Sequence, residues 1–278
     1  MTSAVPELSG IDADAFAALV AAQRPVVLRG FVRDWPAVQQ GRGAPEVLCR
    51  YLMAFDRGTA ADTVLMAPEE GGRLFYKPGL QAFNFVHSRR TVSAVIEQVA
   101  RYSQFPKAPA VAMQSALLDD CLPGFTAANR APFIDPAAAP RLWLGNGVIT
   151  PAHFDESQNI ACVVSGRRRF TLFPPEQGRN LYLGPLDFAP TPTPISLVSF
   201  RAPDFSRFPR FRKALDHALV AELEPGDALF IPSLWWHHVE SLGVLNTMVN
   251  YWWAAPAAAG LTKAEVLALA YASQETSA

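Results

Sequence analysis

Apolar positions recur with two different periods along this chain, and the change from one to the other divides it. Between Asp12 and Ala22, Phe16, Leu19 and Val20 fall on one side of a helix. Between Thr91 and Tyr102, Val92, Val95, Ile96 and Val99 do the same, with Thr91 placed to cap the first turn. A further helix is predicted over Ala44 to Phe55. Short strands are predicted at Pro25 to Phe31, Thr63 to Met66, Leu74 to Tyr76 and Ala110 to Gln114, and the Ala/Pro-rich run from Thr126 to Pro140 reads as a connection. From Arg141 onward the helical period gives way to closely spaced β segments. They are Leu142 to Leu144, Thr150 to Asp155, Asn159 to Val164, Arg168 to Phe173, Ile195 to Phe200, Ala228 to Ile231, Trp235 to Ser241 and Leu245 to Trp253. Gly166, Pro174 and Pro175, Gly184 and Pro185, and Pro225 to Asp227 separate them as turns. Helical spacing returns from Leu261 to Tyr271.

Such a series of short strands and turns predicts an antiparallel double-sheet jelly roll of the cupin type. The expected fold is therefore mainly β with flanking α: a double-stranded β-helix with a helical N-terminal elaboration and a C-terminal helix. We expect one domain over 1–278, divided into the elaboration (1–140), the barrel core (141–255) and the C-terminal helix (256–278). No internal repeat is present.

Composition narrows the picture. Of 278 residues, 50% are hydrophobic and 18% charged, which is ample for a sizeable core. A net charge of −1 gives no general attraction to nucleic acid or to an anionic membrane. Cys49, Cys121 and Cys162 are scattered and include no CxxC pair, as expected of reduced thiols. With no basic segment followed by an apolar run at the start, and no apolar run of bilayer length, a cytoplasmic protein is expected.

The candidate chemistry lies in two stretches. In Thr150-Pro151-Ala152-His153-Phe154-Asp155, His153 and Asp155 are two apart and share a face of a strand. More than eighty residues later, Trp235-Trp236-His237-His238-Val239 supplies a third imidazole, from His237 or His238. Strand parity lets only one of that pair face the barrel and does not choose between them. Two imidazoles and a carboxylate on one side of a metal leave the other side open, which suits non-haem Fe(II) working with O2. The usual co-substrate of such a site, 2-oxoglutarate, needs a cation for its distal carboxylate. Of Arg167, Arg168 and Arg169, Arg168 is in phase with Phe170 and Leu172 and is expected to point inward. His87 and His217 lack ligand-like neighbours and read as structural.

At these residues the chain resembles the cupin-like branch of the JmjC oxygenases, most closely those of the factor-inhibiting-HIF, asparaginyl-hydroxylase type. The matching segments are Gly145 to Asn159, Gly166 to Phe170, Phe173 to Gln177, Gly226 to Pro232, Trp235 to Leu242 and Val249 to Trp252. The likeness covers about 141–255 and is loose before that. It implies that His153, Asp155 and His237 hold iron and that Thr150 and Arg168 receive the distal carboxylate of 2-oxoglutarate, Arg168 standing where relatives carry lysine. Asn159 and Asn250 would line the co-substrate pocket, with Trp252 packed near it. The family's co-substrate tyrosine has no counterpart near Val111 to Gln114.

The implied activity is that of a 2-oxoglutarate-dependent dioxygenase, consuming 2-oxoglutarate and O2 to hydroxylate a protein or peptide side chain or a small amino-acid-like molecule. Demethylation would follow if the hydroxylated carbon were an N-methyl group. Two other readings compete: a cupin module that binds metal without turnover, and an oxygenase directed at RNA or the ribosome. Only the basic stretch Arg201 to Lys213 favours the last, and nucleic acid is not the expected partner. The apolar side of the C-terminal helix, together with the resemblance, suggests a homodimer formed through that helix.

Overall fold

The structure is a computed structural model that describes residues 2–255 and 260–272. The chain opens with β1 (Ser3–Ala4), β2 (Glu7–Ser9), α1 (Ala13–Ala21) and β3 (Val26–Arg29). Helices α2 (Pro36–Gly41) and α3 (Pro45–Phe55) follow, then β4 (Ala61–Met66), β5 (Phe85–Arg90), α4 (Val92–Tyr102) and β6 (Ala110–Leu117). Two single turns, α5 (Leu118–Cys121) and α6 (Phe125–Ala128), lead to β7 (Arg141–Gly145), β8 (Ile149–His153) and β9 (Gln158–Phe173). The chain closes through α7 (Phe211–Asp216), β10 (Leu219–Leu223), β11 (Ala228–Ile231), β12 (Trp236–Trp253) and α8 (Lys263–Tyr271). Thr91 caps α4 as its sequence predicts, accepting from the Ala94 N–H at 3.2 Å.

The spine is the antiparallel pair β9 and β12, paired from Trp236 opposite Phe173 to Trp253 opposite Gln158 with one irregularity between Leu242 and Met248. The sheet runs β2-β3-β11-β9-β12-β7-β6-β4-β5, with β8 on β12, β10 on β9 and β1 on β10. Wrapping this sheet around an apolar interior gives the expected jelly roll. The first 140 residues are not merely helical: β3 pairs with β11, and β6 carries β4 and β5 onto β7. They extend the same sheet.

Several expected elements differ, each for a physical reason. The segments expected at Asn159 to Val164 and Arg168 to Phe173 are one strand, bent at Gly166 (φ 71°) rather than broken there. A Cβ at Gly166 would collide with Asn246 Oδ1, so this bend requires glycine. The two segments expected within Trp235 to Trp253 are likewise one strand, whose register with β9 slips between Leu242 and Thr247. Ile195 to Phe200 forms no strand and makes only a bridge from Ser196 to Leu183; Pro190, Pro192 and Pro194 before it have no N–H to donate to a ladder. Leu74 to Tyr76 is also reduced to flanking bridges, Arg73 to Ile149 and Tyr76 to Phe83. Strand β5 escaped prediction because it is an edge strand whose residues after Phe85 are exposed or half-buried, so it needs no apolar alternation.

Four apolar clusters organise the interior among the described residues, the smallest joining β4, β5 and β6 to Leu74 and Val148. One joins α1 to α4 to the outer face of the sheet, and another fills the barrel with Val163, Phe170, Leu172, Leu229, Val239 and Met248. The third gathers Phe154, Phe173, Phe211 and Trp236 beneath α7 and α8. Val266 and Ala270, on the apolar side of α8, are buried in that third cluster of their own chain, while Leu269 stays exposed. No helix among the described residues is long and apolar enough to cross a membrane.

Gly166→Ala should therefore lower unfolding free energy by about 1–3 kcal/mol through backbone strain and the clash with Asn246. Urea denaturation followed by tryptophan fluorescence measures this, and an unchanged midpoint would contradict the assigned bend.

Candidate metal centre

β8 places His153 at its last residue, opposite His237 on β12. Asp155 lies just beyond the strand, in the irregular stretch before the bend at Glu156 and Ser157, so the carboxylate reaches the site from a connection rather than from the strand assumed by parity. One ligand atom from each of His153, Asp155 and His237 lies within 4.8 Å of the others. The imidazole rings stand 4.3 Å apart, and His237 Nε2 is 3.7 Å from Asp155 Oδ2.

Each ring is held the same way. His153 Nδ1 lies 2.9 Å from the Pro151 carbonyl, and His237 Nδ1 lies 3.0 Å from the Trp235 carbonyl. A carbonyl can only accept, so Nδ1 carries the proton and Nε2 of both rings is left with a free lone pair. Two nitrogens and one carboxylate, preset in this tautomer, form a donor set that fits a divalent transition metal with an open side. Parity left His237 and His238 open. The fold turns His237 toward His153 and buries His238 on the other face, where it stacks on Phe200 at 4.3 Å with neither ring nitrogen hydrogen-bonded and Nε2 3.9 Å from Glu240 Oε1.

Thr150 and His153 are an odd number of residues apart, and regular pleating would point them to opposite faces. The β8–β12 register resolves this: His153 faces His237 and Thr150 faces Val239, so three steps on β8 match two on β12. This bulge contains Pro151, which cannot donate to the ladder, and its carbonyl is the one that fixes His153. Thr150 consequently lines a narrow cavity together with Arg168, Trp143, Val239, Ser241 and the stretch Ala112 to Gln114. That stretch does form the cavity wall, with Ala112, Met113 and Gln114 where the resembling family has a tyrosine.

Arg168 points inward as its phase predicts. It is 7% exposed, its Nε has no hydrogen-bond partner, and no carboxylate among the described residues pairs with it. Burial pulls its pKa down to about 10, so it remains charged at neutral pH. Its neighbours behave differently: Arg169 pairs with Glu222 at the surface, and Arg167 is exposed. A buried guanidinium without a counter-ion is costly, and an anion entering beside Thr150 would supply one.

Two of the remaining expected residues, Asn159 and Asn250, join Trp143 in a hydrogen-bonded line behind the candidate ligands. The Asn159 amide donates to Asp155 Oδ2 (3.4 Å), the Asn250 amide donates to Asn159 Oδ1 (3.1 Å), and the Trp143 indole donates to Asn250 Oδ1 (2.8 Å). Trp252 stands edge-on to Trp143 at 6.3 Å. Asn159, Asn250 and Trp252 do not line the Arg168 cavity. Trp143 was not singled out in the sequence, where a tryptophan in a strand reads as wall; its partner on β12 is visible only in three dimensions. In the basic stretch, Arg201 pairs with Glu240 at 2.7 Å, while Arg207, Arg210 and Arg212 lie over Phe208, Tyr182 and Phe205.

Burial, then the neighbouring His237, lowers the His153 pKa to about 4; burial, then Arg73, His153 and Arg201, lowers that of His238 to about 3. Each ring is neutral when folded and charges on unfolding below its ordinary value near 6.5, so the unfolded state binds more protons and stability falls as pH drops from about 6.5 toward 4. Metal-free protein should melt progressively lower across that window. His238→Phe, which keeps the stack on Phe200, should flatten the decline in a scan of Tm against pH, and an unaltered slope would refute the assignment.

Comparison with known proteins agrees with this architecture. The model of the cupin-like domain family matches residues 12–259. Human HSPB1-associated protein 1 is 41% identical over 113 residues, covering 40% of this chain and 22% of that protein. Lysine-specific demethylase JMJ31 of Arabidopsis thaliana is 38% identical over 101 residues, 36% of this chain and 18% of the relative. Lysine-specific demethylase 8 of Xenopus tropicalis is 26% identical over 238 residues, 84% of this chain. The chain spans about half the length of that last relative and about a fifth of the other two. With the barrel, the inward His-Asp-His set and a family match across most of its length, the chain belongs to the cupin-like domain family.

Proposed function

We propose that this protein is an Fe(II)- and 2-oxoglutarate-dependent dioxygenase that hydroxylates a protein or peptide side chain or a small amino-acid-like molecule. The observation that carries the reading is the unpaired, buried Arg168 beside Thr150, in a barrel that also holds the His-Asp-His set. A binding module stabilised by metal has no need of a buried cation lacking an anion. The asparaginyl-hydroxylase likeness is part of this proposal and rests on the motif residues from Gly145 to Trp252.

In this reading His153, Asp155 and His237 hold iron, which when bound with 2-oxoglutarate and O2 supplies the oxidising power for C–H hydroxylation. The protein provides position. The Pro151 and Trp235 carbonyls aim the two imidazoles, while Thr150 and Arg168 receive the distal carboxylate by a hydroxyl and a guanidinium. Asn159, Asn250 and Trp252 support that pocket from behind. Phe170, Leu172 and Val239 exclude water from the barrel interior.

The names of the two demethylase relatives favour a second reading, in which the hydroxylated carbon is an N-methyl group that then leaves as formaldehyde. Mass spectrometry of candidate peptides separates the two, since hydroxylation adds one oxygen and demethylation removes a methylene. We place the protein in the cytoplasm. A homodimer through α8 would use its exposed side around Leu269, because Val266 and Ala270 are already buried; a monomeric mass by light scattering would exclude it.

Anaerobic addition of Fe(II) and 2-oxoglutarate should produce the visible iron-to-oxoglutarate charge-transfer band. His153→Ala should abolish it, and Arg168→Ala should weaken 2-oxoglutarate binding by about 2–5 kcal/mol, the range for removing one partner of a buried charge pair. Absence of the band in the wild-type protein with metal bound would turn the assignment toward a non-catalytic metal module.

A further inference from the structure

The line of hydrogen bonds behind the metal ligands has a direction, and that direction is fixed at both ends. An indole N–H can only donate, and an ionised carboxylate can only accept. Between Trp143 and Asp155 stand two carboxamides, each of which could be turned either way if considered alone. Trp143 obliges Asn250 to present Oδ1 to it at 2.8 Å, which turns the Asn250 NH2 toward Asn159 Oδ1 at 3.1 Å. Asn159 must then aim its own NH2 at Asp155 Oδ2, 3.4 Å away. Asn250 is 1% exposed and Asn159 6% exposed, so water has little access to either amide to restore a lost partner.

The sheet explains how the line is built. Trp143 lies on β7, Asn250 on β12 and Asn159 on β9, three adjacent strands. Asn250 is opposite Arg141, two residues from Trp143, and Asn159 is opposite Trp252, two residues from Asn250. Each bond therefore joins a diagonal pair on the same face, the separation that long polar side chains span across a sheet. Trp252 stands edge-on to Trp143, with Arg141 over the Trp252 ring at 5.4 Å, and this packing holds the indole plane. Trp143 also lines the cavity of Thr150 and Arg168.

We infer that Trp143 is a positioning residue that orients the metal-binding carboxylate of Asp155 through Asn250 and Asn159, and that it links that carboxylate to the Arg168 cavity. This rests on the metal reading proposed above and extends it to a residue outside the ligand set. Without the indole donor, Asn250 can turn over and leave Asn159 free to present its oxygen to the Asp155 carboxylate, a repulsive contact. Groups behind a metal ligand commonly contribute 10- to 100-fold in metal affinity, so removing the start of the line should cost about tenfold. Because the indole also walls the cavity, an anion bound beside Arg168 and the metal at Asp155 should favour each other reciprocally, and less so once the donor is gone.

The test uses Trp143→Phe, which keeps an aromatic ring against Trp252 and removes the N–H together with part of the indole, with Trp253→Phe as a control that makes the same change to an indole packed on Phe230 instead. Two measurements are made on each protein. The first is the side-chain amide region of a 1H–15N spectrum without metal. The second is titration with Co(II), alone and with saturating 2-oxoglutarate, read by the visible d–d absorption. Trp143→Phe should move the Asn159 and Asn250 amide signals, raise the Co(II) Kd about tenfold, and reduce the tightening of Co(II) by 2-oxoglutarate. The control should do none of these. Unmoved amide signals, or moved signals with a wild-type Co(II) Kd and wild-type tightening, would overturn the role given to Trp143. Failure of the wild-type protein to bind Co(II) would instead overturn the metal reading; unmoved amide signals would then refute the hydrogen-bonded line, and moved signals would confine it to a structural role and end the positioning claim.

Discussion

Between His237 opposite His153 and Val239 opposite Thr150, β8 contains one residue more than the strand it pairs with. That single extra residue brings side chains of opposite parity into one interior. His153 joins His237 and Asp155, Thr150 joins Arg168, and the Pro151 carbonyl within the bulge fixes the tautomer of His153. A regular strand would give up either the ligand set or the cavity. The bulge is tolerated because β12 continues past it in unbroken register with β9.

Around this irregularity the chain is arranged to satisfy some polar groups and to leave others waiting. Asn250, Asn159 and the Nδ1 atoms of His153 and His237 have partners, whereas the Arg168 Nε does not. Unsatisfied buried charge is costly, and its position opposite Thr150 is where a carboxylate would relieve the cost. The same asymmetry distinguishes the arginines of the run at Arg167 to Arg169. Arg169 is matched by Glu222 at the surface; Arg168 is matched by nothing among the described residues.

Much of this was legible without coordinates. The double period of apolar positions identified α1, α4 and the stretches that become β7, β8, β9, β11 and β12, because burial on one face leaves that mark in sequence, whereas β10 (Leu219–Leu223) was not predicted. The inward phase of Arg168 could be read from Phe170 and Leu172 for the same reason. Elements whose formation owes little to burial were not legible. Edge strand β5 has mostly exposed or half-buried side chains, and Gly166 reads as a turn although the strand bends through it without ending.

The sequence by itself determined the periodicity, the inventory of ligand-competent residues and the turn chemistry, since all three depend on local steric and hydrophobic preference. Strand parity left His237 and His238 open and resemblance pointed to His237; the tertiary structure turns His237 toward His153 and Asp155, and it alone decided how Thr150 and His153 share one interior and that Trp143 reaches Asp155 through two amides. Those outcomes depend on register between strands distant in sequence. Register is set by the packing of whole sheets, and no local pattern in one strand encodes the position of its partner.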